Sequence, residues 1–141
     1  MAVAVTAAGM AAAALHRGDI DKIIITRPLV SAGKDPGALP GDMGMKIAPY
    51  ILPMKEYFEF FFGQMLFGHY FNNQQIEFRP LELMRGATFN RTFMILDEAQ
   101  NCTEKQIKLF LTRLGQESKI VINGDTNQTD LEGKSGLLPT I

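Results

Sequence analysis

The chain has 141 residues, enough for one ordinary domain, and its 14 basic and 15 acidic side chains give a formal net charge of −1. This balance gives no support for a polybasic nucleic-acid coat, although a local patch could still bind nucleic acid. The single cysteine, Cys102, excludes an intramolecular disulfide and suits a reducing compartment such as the cytoplasm.

The first predicted element is an alanine-rich helix over residues 2–16, with Gly18 as the residue that ends it. Because the helix is apolar on nearly all sides, we expect it to be packed inside the domain. The segment lacks the basic start of a secretory signal and is too short to cross a bilayer, so we expect no membrane partner.

A strand, a loop and two aromatic-rich helices are predicted next. The isoleucines at 23–25 predict a buried parallel strand that Pro28 ends, and turn-forming residues predict a loop over 29–44. Residues 45–71 predict two helices divided near Gly63. We expect their aromatic side chains to pack the core, the alternative being a partner surface or a base-stacking platform.

Strands continue to alternate with a helix in the remainder of the chain. The pattern predicts a short strand over 75–80, a central strand over 93–96, an amphipathic helix over 103–114 and another buried strand over 118–125. Such alternation indicates an α/β fold with a parallel sheet and right-handed crossovers.

Two adjacent carboxylates, Asp97 and Glu98, directly follow the apolar run 93–96. Open α/β sheets bind ligands at the carboxyl ends of their strands. We predict that Asp97 holds a magnesium ion; in such sites the contact is often made through water molecules bound to the ion. We predict that Glu98 polarises an attacking water molecule. The alternative is a chance pair of acids that caps the next helix.

Polar residues that suit phosphate chemistry follow the last predicted strand. Gly124 permits a close approach to phosphate, Asp125 is a second strand-end acid, and the amide of Gln128 can sense a γ-phosphate or its water. The alternative is a plain polar turn. Because two strands end in acids, the pattern favours a nucleotide site.

The glycine-rich loop that normally holds nucleotide phosphates, G-x-x-x-x-G-K-[ST], does not occur in the sequence. The Gly-Lys-Ser at 133–135 has the right ending, but Gln128 stands where the motif needs glycine. The Gly-Lys at 33–34 is followed by aspartate. Without this loop, magnesium-ATP would depend on side chains alone.

Three arginines, Arg27, Arg85 and Arg113, could neutralise phosphate charge, within one chain or across a subunit contact. The alternative for each is a surface salt bridge.

Together these residues resemble the PhoH family, P-loop ATPases related to the ATPase core of helicases. Residues 54–75 and 134–137 are most similar to the bacteriophage-type members, which would place the protein in the host cytoplasm. The matching segments are Ile-Thr-Arg-Pro at 25–28, Leu-Pro-Gly-Asp at 39–42, Met-Arg-Gly at 84–86, Ile-Leu-Asp-Glu-Ala-Gln-Asn at 95–101, Leu-Phe-Leu-Thr-Arg-Leu-Gly at 109–115 and Asn-Gly-Asp-Thr-Asn-Gln-Thr-Asp-Leu at 123–131.

The resemblance implies a three-layer, RecA- and helicase-like P-loop NTPase sheet that binds and hydrolyses ATP with Mg²⁺. It also implies RNA or single-stranded nucleic acid as a partner, and ring-shaped homo-oligomers in which an arginine acts across subunits. The implied site residues are Asp97 as the Walker B magnesium acid, Glu98 as the water-activating carboxylate, Gly124, Asp125 and Gln128 as the γ-phosphate motif, Arg113 as a nucleotide-site arginine, and Thr26, Arg27 and Arg85 as nucleic-acid or phosphate contacts.

The chain departs from the family pattern in two places. The family usually has Arg-Gly-Arg-Thr where residues 85–88 read Arg-Gly-Ala-Thr. In the family a strand and the phosphate loop come before the alanine-rich helix, in which Met1 already lies. We therefore expect a single partial ATPase domain over 1–141, without its first strand and P-loop and inactive alone. The alternative is a non-catalytic remnant that binds nucleic acid or a protein partner.

Overall fold

The structure, a computed structural model, describes residues 2–28 and 43–125, and the side chains of 3–28 and 52–125. The helices and strands alternate along the chain. Their bounds are α1 Ala2–Arg17, β1 Lys22–Thr26, α2 Met43–Phe62, α3 Gln64–Asn72, β2 Ile76–Phe78, a first 3₁₀ helix Leu81–Met84, β3 Thr92–Leu96, a second 3₁₀ helix Ala99–Asn101, α4 Glu104–Leu111 and β4 Lys119–Ile122.

The four described strands form one parallel sheet in the order β2-β1-β3-β4. The register places Ile25 beside Phe78 on one side and Ile95 on the other, and Leu96 beside Ile122. Every residue of β3 is buried, as expected for a strand with neighbours on both sides and helices on both faces. The sheet confirms the predicted parallel α/β fold.

The two faces of the sheet are covered by different helices, which gives three layers. Side chains alternate along a strand, so Ile23 and Ile25 pack with α1, α2 and α3, whereas Ile24 packs on the opposite face with α4 and both 3₁₀ helices. Helix α1 ends as predicted at Gly18, whose φ of 80° lies in the left-handed region. None of the described helices is long and apolar enough to span a membrane.

The aromatic helices meet the core in only part of their length. Gly63 divides α2 from α3 as predicted, and the core interpretation is correct for Phe58 and Phe67, which are buried. The interpretation is wrong for Phe60, which is 79% exposed. The predicted loop over 29–44 lies outside the described residues, except for its last two, which begin α2.

The edge strand β4 has β3 as its neighbour among the described strands. Its Lys119 is exposed and its other residues are half-buried. An apolar groove of about 250 Å³ runs between this strand and α1. The side chains that line the groove are Val3, Thr6, Ala7, Met10 and Val121.

Helix α4 begins with a capping box. The Gln106 N–H donates to Thr103 Oγ1 at 3.2 Å, and the Thr103 N–H donates to Gln106 Oε1 at 2.8 Å. These bonds satisfy two backbone donors that a helix start otherwise leaves without partners.

Replacing Thr103 by alanine is expected to lower the free energy of unfolding by about 1 kcal/mol, because the box loses its side-chain acceptor. Urea denaturation followed by circular dichroism measures this change. Lys105→Ala, at an exposed position in the same helical turn, is the control and should change stability by less than about 0.5 kcal/mol. Equal losses in the two variants would show that the cap contributes nothing.

Candidate functional site

The candidate site lies at the edge of the sheet where the parallel strands β1, β3 and β4 end. Backbone hydrogen bonds hold the three strand ends together: the Asp97 N–H donates to the Thr26 carbonyl at 2.9 Å, and the Asn123 N–H donates to the Leu96 carbonyl at 2.8 Å. The structure therefore brings together Thr26, Asp97 and the turn that contains Gly124 at one edge of the sheet.

Asp97 is a buried carboxylate whose two oxygens both accept hydrogen bonds. Oδ2 accepts from Arg27 Nε at 2.8 Å and from Arg27 Nη2 at 2.6 Å. Oδ1 accepts from Asn123 Nδ2 at 2.8 Å. A buried charge requires such partners, and Arg27 supplies both the opposite charge and two donors.

Glu98 has a backbone conformation that non-glycine residues rarely adopt, with φ 57° and ψ 42°. Such a conformation costs about 1–3 kcal/mol and occurs preferentially at functional sites. The two adjacent acids therefore lie in different environments. The Glu98 side chain is 44% exposed, whereas the Asp97 side chain is 4% exposed. Glu98 Oε1 lies 3.8 Å from Arg27 Nη2.

Gln100 connects Glu98 with the turn after β4. Its Nε2 donates to Glu98 Oε2 at 2.6 Å, and its Oε1 accepts from the Asp125 N–H at 3.0 Å. The Ala99 N–H also donates to the Asn123 carbonyl at 2.9 Å. Sequence reasoning missed Gln100 and Asn123, although their positions beside the predicted acids were a signal.

The turn after β4 is described as far as Asp125. Gly124 and Asp125 are both exposed there, so a ligand can reach this turn. Gln128, the predicted γ-phosphate sensor, lies outside the described residues.

The oxygen atoms at this edge have the chemistry of a magnesium site. Asp97 and Glu98 supply carboxylates, and the buried Thr26 Oγ1 has no hydrogen-bond partner among the described residues. The described parts of the chain contain no group of three or more His, Cys, Asp or Glu that could hold a metal. This set fits Mg²⁺, which typically keeps several waters and binds one or two carboxylates together with substrate phosphates.

The other two predicted arginines lie away from Asp97. The Arg113 carbonyl accepts a hydrogen bond from the Phe89 N–H at 2.9 Å. Phe89 precedes the start of β3, whereas Asp97 directly follows the end of β3. A five-residue strand spans about 16 Å, so Arg113 lies near the opposite edge of the sheet. Its Nη1 contacts the Met84 carbonyl at 3.5 Å, and Arg85 follows Met84 at an exposed position.

Cys102 lies between the second 3₁₀ helix and α4 and is fully buried. Burial, with a smaller contribution from the charge of Glu82, raises the pKa of its thiol to about 12. The thiol therefore stays protonated at neutral pH.

Comparisons with known proteins identify relatives that match most of the chain. A family model described as PhoH-like protein matches residues 3–140. The chain is 47% identical over 126 residues to a PhoH-like protein of Bacillus subtilis, covering 88% of this chain and 40% of that protein. It is 42% identical over 129 residues to Protein PhoH of Escherichia coli, covering 90% of this chain and 36% of that protein. A PhoH-like protein of Synechocystis is 43% identical over 133 residues, covering 93% and 40%. The chain thus spans about two-fifths of the length of these relatives.

Proposed function

Since this chain belongs to the family of PhoH-like proteins, we propose that it forms part of a P-loop ATPase whose site is the edge of the sheet around Asp97. The observation that carries the proposal is the separation of two adjacent acids at the end of β3. Asp97 is buried and held by donors, whereas Glu98 is 44% exposed and is connected through Gln100 with the turn after β4. Hydrolysis of a nucleotide needs one group that holds magnesium and another that activates or orients the attacking water, and two separated acids can fill these roles.

In this proposal each residue at the edge has a distinct task. Asp97 and Thr26 would hold a magnesium ion, and the ion would supply charge neutralisation at the phosphates. Glu98 accepts a proton from the attacking water, and Gln100 fixes the orientation of its carboxylate through the 2.6 Å hydrogen bond. Gly124 and Asp125 border the phosphates, and we retain Gln128 as the proposed γ-phosphate sensor.

We further propose that Arg113 acts on the nucleotide of a neighbouring subunit in a ring-shaped assembly. The support is its position, because about one strand length separates it from Asp97 of its own chain. RNA or single-stranded nucleic acid remains the proposed partner. Thr26, Arg27 and Arg85 are the residues predicted to contact the nucleic acid. Thr26 is buried and Arg27 pairs with Asp97, so Arg85 is the one of these three that offers an exposed positive charge.

The 141-residue chain by itself is expected to bind ATP weakly and to hydrolyse it negligibly. The reason is that its sequence contains no G-x-x-x-x-G-K-[ST] loop to surround the β- and γ-phosphates. Steady-state phosphate release measures turnover, with Glu98→Gln as the background. Robust turnover that depends on Glu98 would contradict this expectation.

A hybrid protein tests the proposed function directly. In the hybrid, this chain replaces the matching segment of the Bacillus subtilis relative, to which it is 47% identical. We expect the hybrid to hydrolyse ATP in the presence of Mg²⁺, because the edge around Asp97 would then lie within a full-length PhoH-like protein, of which this chain matches 40%. A folded hybrid that releases no phosphate would overturn the proposal.

A further inference from the structure

Arg27 contacts the proposed magnesium acid more closely than a surface ion pair would. Its Nε and Nη2 both donate to the same oxygen, Asp97 Oδ2, at 2.8 and 2.6 Å. The side chains of Arg27 and Asp97 are 16% and 4% exposed, so water screens the pair little.

This arrangement occupies most of the accepting capacity of Asp97. A carboxylate offers about four lone-pair sites. Arg27 fills two of them on Oδ2, and Asn123 fills one on Oδ1. A cation, or a water bound to it, cannot use Oδ2 while Arg27 donates to it twice.

The charge of the site depends on the same contact. Asp97 and Glu98 each carry a negative charge, and Arg27 lies within 3.8 Å of both. With Arg27 in place, the three groups sum to one negative charge; with Arg27 withdrawn, the two acids present two. A divalent cation is therefore attracted much more strongly once the guanidinium has left.

We propose that Arg27 is a positioning residue that competes with the divalent cation for Asp97. In the absence of nucleotide its guanidinium holds Asp97 in place and keeps Oδ2 closed to metal. When metal and nucleotide bind, the Arg27 guanidinium moves away from Asp97 Oδ2, and this oxygen becomes accessible to the cation. This inference rests on the proposed function, because it assumes that Asp97 is the magnesium acid.

Titration of the 141-residue chain with Mn²⁺, without nucleotide, tests the competition, with free Mn²⁺ measured by electron paramagnetic resonance. We expect Arg27→Gln to bind Mn²⁺ about tenfold more tightly than the unmodified chain, because one repelling charge is removed from the site. Arg79→Gln is the matched control. Arg79 follows the neighbouring strand β2 and pairs with Glu77 at 2.6 Å, so its loss should leave Mn²⁺ affinity unchanged.

Arg27→Lys provides a second arm in case the glutamine variant does not fold. Lysine keeps the charge but lacks the planar pair of donors, so we expect Mn²⁺ to displace it more easily and to bind severalfold more tightly than to the unmodified chain. Circular dichroism establishes which variants are folded. Unchanged or weaker Mn²⁺ binding in the folded Arg27 variants would overturn the inference.

Asp97→Asn separates failure of this inference from failure of the proposed function. If Asp97→Asn abolishes Mn²⁺ binding while the Arg27 variants bind Mn²⁺ as the unmodified chain does, the assignment of Asp97 to the metal is correct. The proposed competition between Arg27 and the cation is then wrong. If Asp97→Asn leaves Mn²⁺ binding intact, the assignment of Asp97 to magnesium is wrong, and the inference fails with it.

Discussion

Replacing Glu98 by glutamine in the hybrid protein is expected to lower kcat for ATP hydrolysis by about 10²–10⁴-fold, the usual contribution of a positioned general base. The amide preserves the size of the side chain but cannot accept a proton from water. Because the proposed task of Glu98 is to accept a proton from the attacking water and not to hold the nucleotide, the affinity for ATP should change little. Steady-state phosphate release gives kcat, and titration with a fluorescent ATP analogue gives affinity.

Glu104→Gln is the matched control for this experiment. It makes the same chemical change on the exposed first turn of α4, where Glu104 pairs with Lys108 at 3.2 Å. Such a surface pair contributes little, so the control should retain full activity. Retained activity in the Glu98 variant, or an equal loss in both, would contradict the role of Glu98.

Replacing Phe58 by alanine is expected to lower the free energy of unfolding by about 3–5 kcal/mol, the range for a buried phenylalanine. Phe58, a residue of α2, is fully buried in the same core cluster as Met54 and Ile23, and its ring stacks on Phe62 with centroids 6.4 Å apart. The substitution leaves a cavity that the surrounding side chains fill only in part. Urea denaturation measures the loss.

Phe60→Ala, two residues along the same helix, is the control. Because Phe60 is 79% exposed, its loss should change stability by less than about 0.5 kcal/mol. If Phe60→Ala were as destabilising as Phe58→Ala, the ring would be covered in solution, which would revive the alternative of a partner surface. Repeating the denaturation at several protein concentrations would identify another copy of the chain as that partner.

The fold was predictable where local pattern determines structure. The triple isoleucine at 23–25 and the apolar run before Asp97 both specify buried strands, because neither face of a central parallel strand is exposed to water. Gly18 marked the end of α1 through a left-handed conformation that involves only nearby residues. These signals need no knowledge of distant segments.

The partners of the site residues were not predictable in the same way. Arg27 and Asp97 are 70 residues apart in sequence, and their contact depends on the register of β1 against β3. The left-handed conformation of Glu98 likewise follows from the connection between the ends of β3 and β4. The position of Arg113 depends on where α4 ends, which a periodic pattern predicts only approximately.

The buried thiol of Cys102 gives the site a chemical reporter that requires no engineering. Cys102 is the single cysteine of the chain, follows the 3₁₀ helix that contains Gln100, and has a pKa of about 12. Thiol reagents react with the thiolate and need access, so at neutral pH they modify Cys102 only when this segment opens. The labelling rate therefore measures the local opening free energy beside Glu98, separately from global unfolding.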